Sequence, residues 1–230
     1  MKVKSEALLI KEQLLNIYSL LFSKYGDQHW WPADTQFEVI VGAVLTQFIS
    51  WRNVVKAIDN IKEKDLLDIH KLYECDIELL KELIKPAGFF NRKAVILKTV
   101  LAFIIENYDG NLDKMFETSL EVLREKLLKV RGIGPETADS ILLYAGSKKI
   151  FVVDAYTIRI FTRLGFLNGT ENYHQVQKFF MENLPEEVDL YNQYHALIVK
   201  LGSECCSGKK PKCLECVLKD LCQFDTSSYR

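Results

Sequence analysis

Apolar residues recur at intervals of three and four along most of the chain, the spacing that gives a helix one oily face. This periodicity predicts helices at 5–24, 36–49, 51–62, 76–85, 91–107, 119–129, 135–146, 155–164, 172–183 and 187–202. The breaks between them carry recognisable chemistry. Asp34 or Thr35 stands where a cap for the second helix belongs, with Glu38 at capping-box distance. "KPAGFFN" (85–91) separates the fourth helix from the fifth, "YDGN" (108–111) ends the fifth, and "NGTEN" (168–172) parts the two helices after residue 164. The run "KIFVV" (149–153) is a strand candidate, too short to build a sheet alone. No repeat of solenoid length is visible. The pattern predicts an all-α fold in two lobes.

Composition agrees with a globular chain of 230 residues, 48% apolar and 27% charged. Its longest apolar runs fall far short of the roughly 18 residues a membrane span needs. The opening "MKVKSEALLIKEQLL" mixes charge among its apolar residues, which reads as a helix and not as a secretory signal. A cytoplasmic location is expected. The formal net charge of −1 changes the picture more. Nucleic-acid binders are often strongly basic, so a DNA-binding reading requires the cations to gather on one face. The sequence allows it. Lys126, Lys129 and Arg131 precede a glycine turn, Lys148, Lys149, Arg159 and Arg163 follow it, and Lys209, Lys210 and Lys212 cluster near the end. Acids concentrate elsewhere, as in "ENYDGNLDKMFETSLEVLRE" (106–125).

Cys75 is solitary and reads as a small core residue, while the other five cysteines fall within 205–222. Cys206, Cys213, Cys216 and Cys222 form C-x6-C-x2-C-x5-C. Clustered soft thiolates in an intracellular chain point to metal in preference to disulfides. Zinc and an iron–sulfur cluster both accept four cysteines, and spacing alone leaves the choice open. Cys205 breaks the spacing and is read as non-ligating. The loop "SGKKPK" between the first two ligands is either a plain solvated loop or a cationic finger for phosphates, with Lys209, Lys210 and Lys212 as its contacts.

"LLKVRGIGPETADSILLYA" (127–145) reads as helix, tight turn, helix. Gly132 and Gly134 permit positive φ or close backbone approach. The helix that follows directs free N–H groups at whatever sits before it, and Lys129 and Arg131 add charge for a phosphate. An ordinary corner between two helices has the same shape. Twenty residues on, Asp154 follows an apolar run and precedes a helix, a good N-cap. A carboxylate so placed is kept ionised by the helix dipole, which suits it to stabilising positive charge on a sugar.

Together, "GIGPETA", the aspartate in "VVDAYTIRIFTRLG" and the ending "CSGKKPKCLECVLKDLC" resemble the endonuclease III superfamily of DNA glycosylases in order and spacing. "FEVIVGAVLTQ" and "GFFNRKA" resemble that family's first barrel helix and its later minor-groove loop. The resemblance covers about 30–222. It implies a six-helix barrel with the helix–hairpin–helix over 28–148, and a second helical domain from 1–27 and 149–230 with a cluster loop at 206–222. It implies a [4Fe-4S] cluster on the four cysteines, and a monovalent cation on the hairpin carbonyls of Leu128, Val130 and Ile133. Double-stranded damaged DNA would lie across a cleft with the damaged nucleotide flipped into it. Gln47 would fill the gap in the stack, and Phe89, Phe90 and Asn91 would lie at the opposite-strand wedge. A monomer is expected from the family habit.

Glu136 is the informative departure. Bifunctional members of the family carry a lysine there, whose amine forms a Schiff base with the sugar. A carboxylate cannot, and no lysine occurs from 132 to 147. The chain therefore resembles monofunctional members, and specifically the bacterial 3-methyladenine glycosylases, in "WWPAD", "GAVLTQ", "KPAGFFNRKA" and "GIGPETADSILLY". In that branch aromatic rings aligned with Trp30 and Trp51 sandwich the flipped base, Glu136 lines the pocket, and Asp154 is catalytic. Trp31, just before Pro32, is read as core. The four-cysteine tail departs toward endonuclease III. Two alternatives remain at this stage: an endonuclease III-like oxidised-pyrimidine glycosylase with lyase activity, and a non-catalytic iron–sulfur DNA-binding module.

Overall fold

The protein is described by a computed structural model over residues 2–224, with side chains from Leu8 onward. Among the described residues there are twelve α-helices and no strand. They fall into two compact units. One is Trp31–Lys148; the other joins the stretch before it to the stretch after it.

The Trp31–Lys148 unit is built around α2 (Gln36–Leu45), whose residues from Phe37 to Leu45 are all buried. A helix apolar on every side can only be a central one. Thr35 caps it, its hydroxyl accepting from the Glu38 amide at 3.1 Å. The buried Glu38 reaches back to the Asp34 amide and pairs with Lys62 at 2.8 Å. The helix expected to run to residue 49 ends at Leu45 instead. The chain turns at Phe48, whose φ is +61°, and restarts as α3 (Trp51–Glu63).

Two short helices that periodicity does not show follow: α4 (Ile69–Glu74), capped by Asp68, and later α7 (Leu112–Glu117), capped by Asn111. Between them lie α5 (Ile77–Leu83) and the long α6 (Phe90–Tyr108). Cys75 caps the end of α4 and is only half-buried, not a core residue. Lys93 of α6 is 2% exposed, and its Nζ donates to the carbonyls of Leu45 and Ala87, each at 2.7 Å. It thus closes the end of α2 and the turn that precedes α6. The unit finishes with α8 (Leu120–Lys129) and α9 (Pro135–Ser140), which runs on as a wider turn through Ile141–Ala145. Arg124 grips the fully buried Asp139 through two bonds, 2.7 and 3.0 Å, and locks these two helices together.

The other unit contains α1 (Lys2–Tyr25), α10 (Ala155–Arg163), α11 (Tyr173–Asn183) and α12 (Val188–Glu204). Its core is aromatic. Phe151 stacks on Phe180 at 4.3 Å, Phe161 meets Phe180 edge-on at 4.7 Å, and the buried Tyr194 hydroxyl donates to the Leu14 carbonyl at 2.8 Å. The strand candidate at 149–153 is an extended segment and not a strand. Ile150, Phe151, Val152 and Val153 are all buried among helices, and Gln177 donates to the Phe151 carbonyl where a neighbouring strand would have. β-branched residues here mark a run buried on both faces, which periodicity does not separate from a core strand.

Candidate active site and nucleic-acid interface

The hairpin between α8 and α9 is a tight turn, in which the Ile133 amide donates to the Val130 carbonyl at 3.0 Å. Its two glycines do different work. Gly132 has φ +93°, and a Cβ there would strike Ile96 of α6. Gly134 has an ordinary φ of −94°, and a Cβ there would meet nothing within 4 Å. Positive φ is thus a requirement at Gly132 alone. Gly134 leaves open space before the first amides of α9, which have no carbonyl partner within their own helix. Arg131 and Glu136 are exposed, and exposed Lys129 pairs with Glu125 at 2.6 Å. An exposed pair of this kind is weak and exchangeable, so Lys129 remains able to take a phosphate.

The loop between α2 and α3 is fastened to the hairpin. Gln47 Nε2 donates to the Gly132 carbonyl at 3.2 Å and to Thr137 Oγ1 at 3.0 Å. In the α6 approach, Phe90 is half-buried and Asn91 exposed. Trp51 meets Trp31 edge-on at 5.1 Å, and Trp31 also packs on Tyr144 at 5.2 Å. Trp31 lies against Gly42 of α2, where a Cβ would come within 3.0 Å of its Nε1. Trp30, in the other unit, is half-buried.

Asp154 is the N-cap of α10 within a capping box. Its Oδ1 accepts from the Thr157 amide at 2.7 Å and from the Thr157 hydroxyl at 2.8 Å. Its Oδ2 faces His195 Nε2 of α12 at 3.7 Å. Burial alone would push this carboxyl up. His195 and the two Thr157 bonds outweigh burial, and the group is held below the usual aspartate value. It is therefore charged at neutral pH although little exposed. Sequence reasoning missed His195. It sits in "YHALIV", on the apolar face of a helix, where a histidine most often signals only packing.

The four cysteines gather beside α10. Arg159 donates to the Cys206 and Gly202 carbonyls at 2.9 and 3.2 Å. Arg163 donates to Cys206 Sγ at 3.1 Å and to the Ser207 and Gly208 carbonyls at 2.8 and 3.1 Å. These two arginines, expected on a cationic face, hold the cysteine loop instead. Lys209, Lys210 and Lys212 are exposed on it. Burial raises the thiols of Cys213 and Cys216, and the charges of Cys206 and Cys222 raise them further. Soft sulfurs gathered in this way form a donor set that a cationic centre could hold in its deprotonated form. Among the described residues, no group of three or more His, Cys, Asp or Glu is arranged to hold a single metal ion, and all six cysteines are free of disulfides. Cys205 is buried and its thiol is directed at the Lys212 carbonyl.

Among the described residues the fold is all-helical, with a tight hairpin joining α8 to α9, the layout of the helix–hairpin–helix class. More particularly, the chain belongs to the HhH-GPD superfamily of base excision DNA repair proteins, whose family model matches residues 41–186. It is 49% identical over 92% of its length, and 96% of the relative's, to a Methanocaldococcus jannaschii protein described by inference as a DNA repair glycosylase. It is 30% identical to endonuclease III of Sulfolobus acidocaldarius over 82% of each chain. Its fold is similar to that of H. pylori 3-methyladenine DNA glycosylase bound to 1,N6-ethenoadenine, with TM-score 0.72 and 29% identity over 86% of this chain and 97% of that one. A trapped endonuclease III–DNA covalent intermediate shares the fold at TM-score 0.82 and 24% identity, over 96% of this chain and 99% of that one. No helix among the described residues is long and apolar enough to cross a membrane.

Proposed function

We propose that the protein is a monofunctional DNA glycosylase that hydrolyses the N-glycosidic bond of an alkylated purine, such as 3-methyladenine, in double-stranded DNA. The observation that carries this reading is Asp154, a carboxylate fixed by Thr157 and held charged while largely enclosed. As the C–N bond lengthens, the sugar acquires oxocarbenium-like positive charge. An ionised carboxylate whose geometry is already set stabilises that charge without reorganising. Water adds to the anomeric carbon and passes its proton to the surrounding solvent. The bonding pair of the C–N bond leaves with the base, and cancels the formal positive charge an alkylated purine carries. Such a leaving group needs little protonation.

Two further points support the branch. Glu136 stands in the first turn of α9 where an attacking amine would be needed, and no lysine lies between 132 and 147. Lys93 does not replace it, because its Nζ is buried on two carbonyls. The likeness to the H. pylori enzyme points to the same base class. Trp30 and Trp51 supply aromatic faces, which attract a cationic base by roughly 0.5–2 kcal/mol. Glu136 contacts the base or screens out wrong ones. Lys129, Arg131, Gly132 and Gly134 hold one stretch of backbone, and the carbonyls of Leu128, Val130 and Ile133 hold a monovalent cation there. Lys209, Lys210 and Lys212 hold another stretch.

Cys206, Cys213, Cys216 and Cys222 would hold a [4Fe-4S] cluster, whose contribution is to pin the cationic loop. The experiment that tests the monofunctional assignment is borohydride trapping on duplex DNA with a natural abasic site. The wild type is expected to give no covalent adduct, and Glu136→Lys is expected to give one. An adduct with the wild type would contradict the reading and favour an endonuclease III-like lyase.

A further inference from the structure

The side chain of Lys93 is buried, and no carboxylate among the described residues neutralises it. A buried cation is costly unless its surroundings satisfy it. An apolar side chain of like volume is often the more stable occupant of such a place. What an apolar side chain cannot do is bridge. Lys93 Nζ donates to the Leu45 carbonyl and to the Ala87 carbonyl, both at 2.7 Å. Leu45 is the last residue of α2, where the helix dipole gathers negative charge. Ala87 ends the short turn before α6. One ammonium thus ties two segments that are far apart in sequence.

Both segments need holding. Just beyond each tie the backbone is left-handed, with φ of +61° at Phe48 and +46° at Phe89. That conformation is strained for a residue with a Cβ, and it persists where the surroundings over-determine it. The segments also touch, since Ile49 Cδ1 lies 3.5 Å from where Gly88 would carry a Cβ. Each is linked onward to the hairpin. Gln47 donates to the Gly132 carbonyl and to Thr137. Ile96, one turn along α6 from Lys93 and on the same face, lies against Gly132.

We propose that Lys93 is a positioning residue for lesion recognition. Its ammonium fixes the α2–α3 loop and the turn before α6 in one register against the hairpin, so that a damaged duplex meets a preformed surface. Lys93 is buried and touches no DNA itself. The backbone grip of the hairpin is common to damaged and intact duplexes and positions without discriminating. The two tied segments add the discrimination, and if they had to order on binding, affinity would be lost in that complex alone. The inference rests on DNA binding by this family and not on which base is excised.

The test uses fluorescence anisotropy with a duplex carrying a tetrahydrofuran abasic-site analogue, against the same duplex intact, with thermal melts and amide hydrogen exchange of each variant. Lys93→Met keeps the volume and removes the donors. It is expected to lose about tenfold in affinity for the abasic duplex and to stay within about twofold of the wild type on the intact one. The Ile49 and Gly88 amides, bonded to the Thr46 and Lys85 carbonyls, should exchange faster, while α8 and α9, locked by Arg124 and Asp139, keep their protection. Ile49→Ala loosens the same two segments without touching the cation and should lose about threefold of the preference. The proposal is overturned if Lys93→Met keeps the preference within about twofold, or if it loses affinity for both duplexes alike. Should Lys93→Met fail to fold, an unchanged preference in Ile49→Ala overturns it. A wild type with no preference for the abasic duplex would overturn the lesion-binding reading itself, a separate result from failure of the tie.

Discussion

The Oδ2 of Asp154 lies 3.7 Å from Nε2 of His195, with the two side chains only 11% and 8% accessible. Thr157 bonds the other carboxylate oxygen, and His195 is the titratable neighbour of Oδ2. His195 positions Asp154 and favours its charged form.

Replacing it should therefore move the acid side of the pH–rate profile. His195 lowers the Asp154 pKa, so His195→Ala should raise it. Base release by the variant then falls off at higher pH than in the wild type, and approaches the wild-type rate as pH rises. Single-turnover rates from pH 4.5 to 8 check this. An unshifted profile would show that His195 only packs.

The same shift appears in stability. A carboxyl held below its unfolded value stabilises the fold above the unfolded pKa, and that stabilisation is lost as pH falls through the folded pKa. Asp154→Asn still caps α10, since Asn and Asp cap comparably. Its melting temperature should lie below the wild type's at neutral pH and meet it in strong acid, below the ordinary aspartate range.

Lys93 has the opposite sign. Burial pushes its amine down from 10.5 to about 8. Between these values the unfolded chain binds more protons than the folded one, so stability contributed at this site rises with pH across that window. Lys93→Met should remove the rise. It should also cost stability at both pH values, because the Leu45 and Ala87 carbonyls lose their donor. Denaturant titrations at pH 7 and pH 10 separate the two effects.

The hairpin glycines should respond differently to alanine. Gly132→Ala meets both a positive φ and Ile96, and should cost about 2 kcal/mol or more of stability. Gly134→Ala meets neither and should melt like the wild type. If the hairpin binds a phosphate as proposed, the added methyl should weaken duplex binding. Equal loss of stability at both positions would contradict the division of labour between them.

Much of this was legible in the chain because short-range physics decides it. The starts of α2 and α10 follow from caps at Thr35 and Asp154, and those of α3 and α11 from apolar spacing. The Gly-Ile-Gly turn announced itself. What stayed hidden depends on contacts far apart in sequence. Six residues are too few for α4 or α7 to show a period. The early end of α2 depends on Lys93, 48 positions from the carbonyl it meets. His195 is 41 residues from Asp154, and nothing local marks it as a partner. The arginines of α10 counted among the cations a basic face could gather, because charge in a sequence does not say which backbone carbonyls will absorb it.

The central claim is hydrolysis of an alkylated purine by a fixed, charged Asp154. Its most direct test is single-turnover incubation with dimethyl-sulfate-treated duplex DNA, with chromatographic identification of the freed bases and a denaturing gel for strand breaks. The account predicts free 3-methyladenine, an intact abasic strand, and loss of release in Asp154→Asn with DNA affinity largely kept. Undiminished release by Asp154→Asn, or no methylated base set free by the wild type, would contradict it.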